Sequence, residues 1–414
     1  MHDRTDITYN QDVSNRAAGS WLRPMVARSG TEPHRAATPL ELLFDLCFVV
    51  AVALAGMSLH HAVSEDHIGD GTVSYLLVFF AIWWAWMNFT WFASAYDTDD
   101  VPYRVATLVQ MAGVLVVAAG VPRAFDDRDF VVVTLGYGII RLALAGLWLR
   151  AAHSDDAGRT TALRFAVGIT TCWAGWIVLL VLSESVYLLG FLLMVAAELS
   201  VPVWAERAHA TTWHPRHIAE RYGLFTIIVL GETILAATAA VQAGLDAEHA
   251  YAASDGLTAL AVSALFVVFS MWWLYFDHPA HRFLSGTNRN AFLWGYGHYL
   301  IFSSAATVGA GLAVAVDYAT HRAHIGSGIA GGAVTVPVAV YLLSVWLLHV
   351  RPHRRGTRYD AGFPVTAGAV LAATATPWPF ALPLTAVATT ALVVACHISP
   401  QWINHYEQQQ PGRG

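Results

Sequence analysis

Long apolar segments recur along the whole chain and constrain its fold more than any other feature. They fall at about 40–59, 73–95, 104–122, 130–150, 163–183, 186–205, 222–241, 256–276, 291–316, 328–350, 362–378 and 380–398. Most approach the roughly 20 residues that an α-helix needs to cross a hydrocarbon core of about 30 Å. The sequence therefore predicts an all-α, polytopic membrane helical bundle of about 12 spans. Pro377, Pro379 and Pro383 interrupt the last two segments, where a re-entrant hairpin is the alternative.

The composition agrees with a membrane location. Of the 414 residues, 56% are hydrophobic and 13% are charged, whereas an average soluble domain has about 25% charged residues. The net charge of −6 argues against a nucleic-acid partner, because a phosphate-binding surface needs clustered basic charge. No nucleotide-binding loop or hydrolase motif is visible, and we predict no cofactor. We expect the lipid bilayer as a partner, and the sequence does not specify an oligomeric state.

Arginine placement predicts the orientation of the chain in the membrane. With 12 spans and both ends on one side, that side holds 19 arginines, whereas the opposite loops hold Arg123, Arg128 and Arg322. By the positive-inside rule, both termini are cytoplasmic. We divide the chain into a cytoplasmic, disordered tail at 1–37, a membrane domain at 38–398 and a cytoplasmic tail at 399–414.

Two sequence similarities within the chain suggest an internal repeat. The segment "LFDLCFVVAVALA" from Leu43 aligns without gaps with "LFTIIVLGETILA" from Leu224, and "FAIWWAWMNF" from Phe80 aligns with "FSMWWLYFDH" from Phe269. The corresponding halves are 38–205 and 217–398. Because six spans per half is an even number, the halves would be parallel repeats, an arrangement known in transporters. The alternative is that apolar segments resemble one another through composition alone.

Ionisable side chains inside the predicted spans are the candidates for a functional site. A charge at the centre of a bilayer costs about 2.5–3.5 kcal/mol on insertion scales, so apolar packing does not explain it. Glu41 and Asp45 share one helix face, where they could bind a cation, pass a proton or pair with a base. We predict Arg141 as the countercharge of Asp45, and purely structural pairing is the alternative to a pathway role. The complete set of candidates is Glu41, Asp45, Arg141, Glu198, Arg221, Glu232 and His298.

The segment "HIAERYGLFTIIVLGETILAATAA" contains the second group of candidates. Glu232 follows Arg221 by three helical turns, or about 16 Å along one face. An acid at mid-depth below a charged entrance is typical of a polar pathway. In the alternative interpretation, Glu232 bonds to a neighbouring helix, which the adjacent Gly231 allows to approach closely.

Histidine and tryptophan offer weaker signals. His298 lies within a span and could carry a proton near neutral pH, although we favour a buried neutral imidazole bonded to a hydroxyl. The segments "HPRH" and "HPAH" lack the i, i+4 spacing of a zinc helix and no cysteine accompanies them, so we predict no metal site. We expect most rings of "FFAIWWAWMNFTWFASAYDTDD" to face lipid or the membrane interface, with a ligand cage as the alternative.

Four motifs in order resemble the bacterial low-temperature-requirement A family. They are "TPLELLFDLCFVVAVA", "FFAIWWAWMNFTWFASAYDTDD", "HIAERYGLFTIIVLGETILA" and "WWLYFDH", and the resemblance extends over about residues 38–350. The family's first motif is similar to ELFFDLVFVFA, which this chain matches at Glu41, Phe44, Asp45 and Phe48. The third motif matches at Glu220, Arg221, Gly223, Leu224, Phe225, Gly231 and Glu232. The resemblance implies a protein of about 10 to 12 spans in the bacterial inner membrane and supports Glu41, Asp45, Arg221 and Glu232, but supplies no reaction.

Three functions are consistent with these observations. The leading hypothesis is a transporter or permeation pathway for a small solute or ion, proton-coupled through Asp45 or Glu232. The first alternative is an intramembrane enzyme that uses the same carboxylates as general acid and base on a lipid or isoprenoid-like substrate. The second is a non-catalytic membrane scaffold in cold adaptation. A lipid-sized cavity open to the side would favour the enzyme, and a central polar crevice would favour transport.

Overall fold

The structure is a computed structural model that describes residues 21–29, 35–182, 184–245, 250–277, 284, 288–353 and 357–398. Regular secondary structure within these residues is helical. The helices are α1 (Pro39–Ser64), α2 (Ile68–Tyr96), α3 (Val101–Asp126), α4 (Val131–Ser154), α5 (Arg159–Leu179), α6 (Glu184–Glu206), α7 (Pro215–Leu245), α8 (Ala250–Phe276), α9 (Asn288–Ala319), α10 (Ser327–Val345), α11 (Thr357–Ala373) and α12 (Ala381–Ile398).

The predicted helical membrane bundle is confirmed. Each of the predicted segments corresponds to one helix, and nine of the helices in the described part of the chain are long and apolar enough to cross a membrane. The other three are the 31-residue α7, which carries Glu220, Arg221 and Glu232, and the shorter α11 and α12. Large apolar side chains such as Leu142, Leu149 and Val167 are exposed on the helices, as lipid-facing surfaces require.

The chain divides into two compact units. Unit 1 takes the residues up to 48, 84–120 and 130–218, and unit 2 takes 49–83, 121–129 and the chain from 219 onward. This division differs from the predicted halves at 38–205 and 217–398, because residues 49–83 belong to unit 2. The internal repeat itself stays a prediction.

Unit 1 is built on consecutive helices that pack against each other. Helix α4 contacts α5, and α5 contacts α6. Gly136 allows α3 and α4 to approach closely, because a Cβ atom there would lie 2.5 Å from the backbone nitrogen of Val117. Trp84 and Trp86 of α2 are completely buried, so the expectation that they face lipid or the interface is wrong.

Part of the predicted N-terminal tail packs on unit 1. The Arg28 N–H donates to the Ala95 carbonyl at 2.8 Å, the Arg23 N–H donates to the Asp100 carboxylate at 2.8 Å, and Arg35 is buried. The expectation of disorder is therefore wrong for 21–29 and 35–37. The remaining tail residues, 1–20, 30–34 and 399–414, lie outside the described part of the chain.

Unit 2 contains a second set of packed helices. Helix α9 contacts α10, α8 contacts α12, and α11 contacts both α10 and α12. Gly311 permits the α9–α10 contact, because a Cβ atom there would collide with the Ala333 carbonyl oxygen. Helix α10 continues into one π-helical turn, Trp346–Val350, whose wider winding changes the direction of the following side chains.

Candidate functional site

Glu198 of α6 is a fully buried carboxylate in unit 1 that accepts four hydrogen bonds. Arg141 Nη2 at 2.6 Å and Trp84 Nε1 at 3.0 Å donate to Oε2. The Tyr137 hydroxyl at 2.7 Å and Trp176 Nε1 at 3.1 Å donate to Oε1. Two oxygens offer about four lone-pair positions, so these donors occupy the acceptor capacity of the carboxylate. The geometry thus favours a structural role for Glu198.

The predicted pairing of Arg141 with Asp45 is wrong. The Arg141 guanidinium bonds to Glu198 and lies 5.5 Å from the centre of the Tyr137 ring. Asp45 is fully buried and accepts a hydrogen bond from Trp86 Nε1 at 2.7 Å. Hydropathy placed Asp45, Glu198 and Arg141 inside spans. It does not show which of the two carboxylates Arg141 contacts, because that depends on how α4 and α6 pack.

Glu41 caps the start of α1. The Thr38 N–H donates to Glu41 Oε2 at 2.8 Å, and the Glu41 N–H donates to Thr38 Oγ1 at 3.3 Å. These reciprocal bonds form a capping box, in which Thr38 and Glu41 each satisfy an otherwise unpaired backbone N–H group. Pro39 occupies the first helical position, where its missing N–H costs nothing. The sequence TPLE carried this signal, which places Glu41 at a helix terminus rather than mid-membrane.

Glu41 also belongs to an acidic cluster formed by Glu41, Asp97, Arg35 and His217 in unit 1. Arg35 Nη2 lies 2.8 Å from Asp97 Oδ2 and 3.4 Å from Glu41 Oε1. His217 Nε2 lies 3.1 Å from Glu41 Oε1. All four side chains are at least nine-tenths buried. Of these residues, only Glu41 was predicted as a site residue, because Arg35 lay in the expected tail and His217 at the expected end of a span.

Asp97 follows the last residue of α2 and, like Arg35, lies outside the spans. Burial raises the pKa of its carboxyl, the Arg35 guanidinium opposes this rise, and the Glu41 carboxylate adds to it. Glu41 and Asp97 therefore share Arg35, and the Glu41 carboxylate disfavours ionisation of Asp97. Such a group takes up a proton more readily than an isolated surface carboxylate does.

His298 in unit 2 is bonded to a hydroxyl, which confirms that interpretation. Its Nδ1 lies 2.7 Å from the Trp294 carbonyl, and its Nε2 lies 3.0 Å from the Tyr275 hydroxyl. Because a carbonyl only accepts, Nδ1 carries a hydrogen, and in the neutral ring Nε2 accepts from Tyr275. His349, on the π-helical turn, lies 3.3 Å from the same Nε2. His349 was missed because nothing in its sequence spacing indicates this contact.

Arg221 and Glu232 lie on α7 in unit 2, and they differ in exposure. Arg221 is completely buried, whereas Glu232 is half-buried and forms no hydrogen bond within the described residues. The packing role predicted for Gly231 is wrong, because a Cβ atom there meets no atom within 4 Å. Helix α7 instead contacts α9 through Thr233, whose hydroxyl lies 3.1 Å from the Ala305 carbonyl.

Metal ligation has little support in the described part of the chain. No group of three or more histidine, cysteine, aspartate or glutamate residues there could hold an ion. The predicted site residues lie in four separate places. Glu41 and Asp45 are near one end of α1, and Glu198 is paired with Arg141. Arg221 and Glu232 lie about three turns apart on α7, and His298 is beside His349.

The helices and their buried ionic groups define a multi-pass α-helical membrane protein. Residues 36–396 match the bacterial low temperature requirement A protein family, and the chain belongs to that family. It is also 27% identical, over 274 residues, to an uncharacterized protein of Rhizobium meliloti (strain 1021). That alignment covers 63% of this chain and 62% of the relative, so the chain spans less than two thirds of the relative's length. No solved structure matches the chain.

Proposed function

We propose that the protein is a proton-coupled transporter or permeation pathway for a small solute or ion in the bacterial inner membrane. The observation that carries this proposal is the buried contact between His217 and Glu41, at 3.1 Å, inside the acidic cluster. An imidazole has an ordinary pKa of about 6.5 and changes charge in the physiological range. Protonation of His217 would add an ion pair with the Glu41 carboxylate.

The arrangement along α1 supports a pathway rather than a single anchor. Asp45 lies one turn beyond Glu41 and is likewise completely buried. A proton or cation that reaches Glu41 therefore has a second carboxylate nearby on the same helix face. Glu198 has a different role, because its four hydrogen bonds hold it in place, and we assign it to the scaffold that supports the pathway.

Transport is preferred to the enzymatic alternative because of where the acids lie. An enzyme acting on a lipid needs its acid and base beside an apolar cavity. The large apolar cavity of unit 2, described below, has neither Glu41 nor Asp45 among its lining residues. Its described lining carries no carboxylate, so Asp45 and Glu232, on which the enzymatic hypothesis depends, do not act there.

Proton movement in proteoliposomes tests the proposal. Full-length protein is reconstituted with an entrapped pH-sensitive dye, a pH gradient is imposed, and sodium, potassium or a mixture of amino acids is added outside. The wild-type protein should dissipate the gradient with at least one probe. His217→Gln, which keeps a polar side chain but does not titrate, should abolish this flux while the protein remains folded.

His153→Gln is the matched control, since His153 lies at the end of α4 and outside the acidic cluster. It should retain the wild-type flux. If the wild-type vesicles keep their gradient with every probe, or if His217→Gln moves protons with wild-type pH dependence, the proposal is wrong.

A further inference from the structure

Unit 2 contains a cavity of about 400 Å³ between α9, α10 and the parts of α1 and α2 that belong to this unit. This volume falls within the roughly 300–1,000 Å³ of small-molecule sites. Aliphatic and aromatic side chains supply most of its wall, including Leu59, Tyr75, Leu300, Val314, Pro337 and Val340. The cavity is partly open, so a ligand can enter it from the surface of the bundle.

Hydroxyl groups in the wall do not make the cavity polar. Ser304 lies 2.5 Å from the Leu300 carbonyl, and Thr307 donates to the Ser303 carbonyl at 2.8 Å. The Tyr75 hydroxyl also donates to the Ser303 carbonyl, at 2.8 Å. These donors are satisfied inside the protein, so the wall offers few partners to water. The occupant must therefore be apolar over most of its length.

One end of the cavity is polar. His60 lines the cavity, and its Nε2 lies 2.6 Å from Asp317 Oδ2. The Asp317 side chain is 21% exposed and the His60 side chain 28%, so both reach the surface, and His60 connects Asp317 to the cavity wall. Asp317 Oδ1 forms no hydrogen bond with a described residue. It is thus an available acceptor at the mouth of an apolar space.

We propose that this cavity binds one acyl chain of a membrane phospholipid whose head group donates a hydrogen bond to Asp317. The chain is long, apolar and supplied by the bilayer around the helices, whereas the acceptor at the mouth selects a head group with N–H or O–H donors. This inference concerns binding in unit 2 and does not depend on the proposed proton-coupled transport.

Photolabelling with two matched lipids tests the site. The full-length protein is placed in vesicles that contain a trace of phosphatidylethanolamine or phosphatidylcholine with the same diazirine-bearing acyl chain. The ethanolamine head donates N–H bonds, and the quaternary ammonium of choline does not. The label should fall on α9 and α10 and should favour phosphatidylethanolamine by about tenfold, as expected for one hydrogen bond to a charged group.

Four substitutions test the parts of the proposal separately. Ala333→Trp fills the cavity and should abolish labelling of α9 and α10, while Leu343→Trp, on the exposed part of the same helix and outside the wall, should leave it unchanged. Asp317→Ala should retain the label and remove the preference between the two lipids. Thr307→Trp fills the cavity from α9 if Ala333→Trp fails to fold.

Other distributions of the label contradict the site. Label spread evenly over the exposed helices would mean that lipid only surrounds the protein. Equal labelling by the two lipids in the wild-type protein would remove the role of Asp317. Unchanged labelling in a folded, cavity-filled variant would remove the cavity itself. None of these results depends on whether the protein moves protons.

Discussion

Among single residues, Glu198 makes the greatest demand on its surroundings, because four donors converge on one carboxylate. Glu198→Gln keeps the shape but places an NH₂ group against N–H or O–H donors and leaves Arg141 without its countercharge. We expect a loss of about 3–5 kcal/mol in unfolding free energy, the usual cost of removing one partner of a buried ion pair. Thermal unfolding of the purified protein in detergent measures the loss.

The control for this prediction separates the two candidate partners of Arg141. Glu198→Met with Arg141→Met removes both charges and should be more stable than Glu198→Gln alone. Asp45→Asn with Arg141→Met should be less stable than Asp45→Asn, because Arg141 stabilises Glu198 rather than Asp45. Recovery of stability in the second double variant would contradict the observed pairing.

The residues around Glu198 also show what the sequence could and could not predict. The presence of charged groups inside apolar segments is a local property, and it identified Glu198 and Arg141 as candidates. The donors Trp84 and Trp176 were not predicted, since indole rings in a membrane protein usually indicate an interface. Which ring points at which acid depends on the rotation of packed helices, and a single sequence does not specify that rotation.

At the scale of helices, the start of α1 depends on the capping box. Thr38→Ala removes the hydroxyl that accepts from the Glu41 N–H, and we expect a loss of about 1 kcal/mol in unfolding free energy. Thr38→Ser keeps the hydroxyl and should retain nearly all of the stability. Thermal unfolding of the two variants side by side tests this. Equal stability of the alanine and serine variants would contradict a capping role.

The turn between α2 and α3 holds residues 21–29 through Asp100. Burial opposes ionisation of this carboxyl, but the Arg150 guanidinium and the N–H groups of Arg23 and Tyr103 lower its pKa from 3.8 to about 2. Because the folded-state pKa is depressed, the contribution of Asp100 is complete above about pH 4 and is lost as the pH falls toward 2.

Pepsin, which is active in this pH range, measures that change. Cleavage near Leu22, relative to an unfolded reference peptide, should rise as the pH is lowered from about 4 to 2. Asp100→Asn should be cleaved rapidly throughout, and Asp156→Asn, at an exposed position, should behave like the wild-type protein. A wild-type cleavage profile in Asp100→Asn would show that another contact holds the segment.

The location of the helices was more predictable than the packing of the segments outside them. The apolar segments located every described helix because length and hydropathy are read directly along the chain. Residues 21–29 were expected to be disordered because the segment is polar, yet backbone bonds to Ala95 and Asp100 hold it on unit 1. Such attachment depends on distant acceptors, and composition does not reveal them.

For the whole molecule, the testable property is orientation. In a background without Cys47, Cys172 and Cys396, all of which are free thiols, Asp70→Cys in intact cells should react with an impermeant reagent. Asp156→Cys should react only after the membrane is opened, since an even number of helices separates it from the N-terminus, which the arginine distribution predicts to be cytoplasmic. Asp70 forms only an exposed ion pair with Arg128, so its loss should not disturb the fold. Labelling of Asp156→Cys in intact cells would reverse the topology.

The π-helical turn at Trp346–Val350 has a consequence for how relatives of this protein should be compared. A π turn fits one more residue into the same length of helix than an α turn does, so deleting one residue there would restore regular winding. Regular winding would redirect the side chains of the turn itself, and the imidazole of His349 would leave His298. A gap of a single position in an alignment would therefore mark the evolutionary gain or loss of the histidine pair, even where both histidines are present.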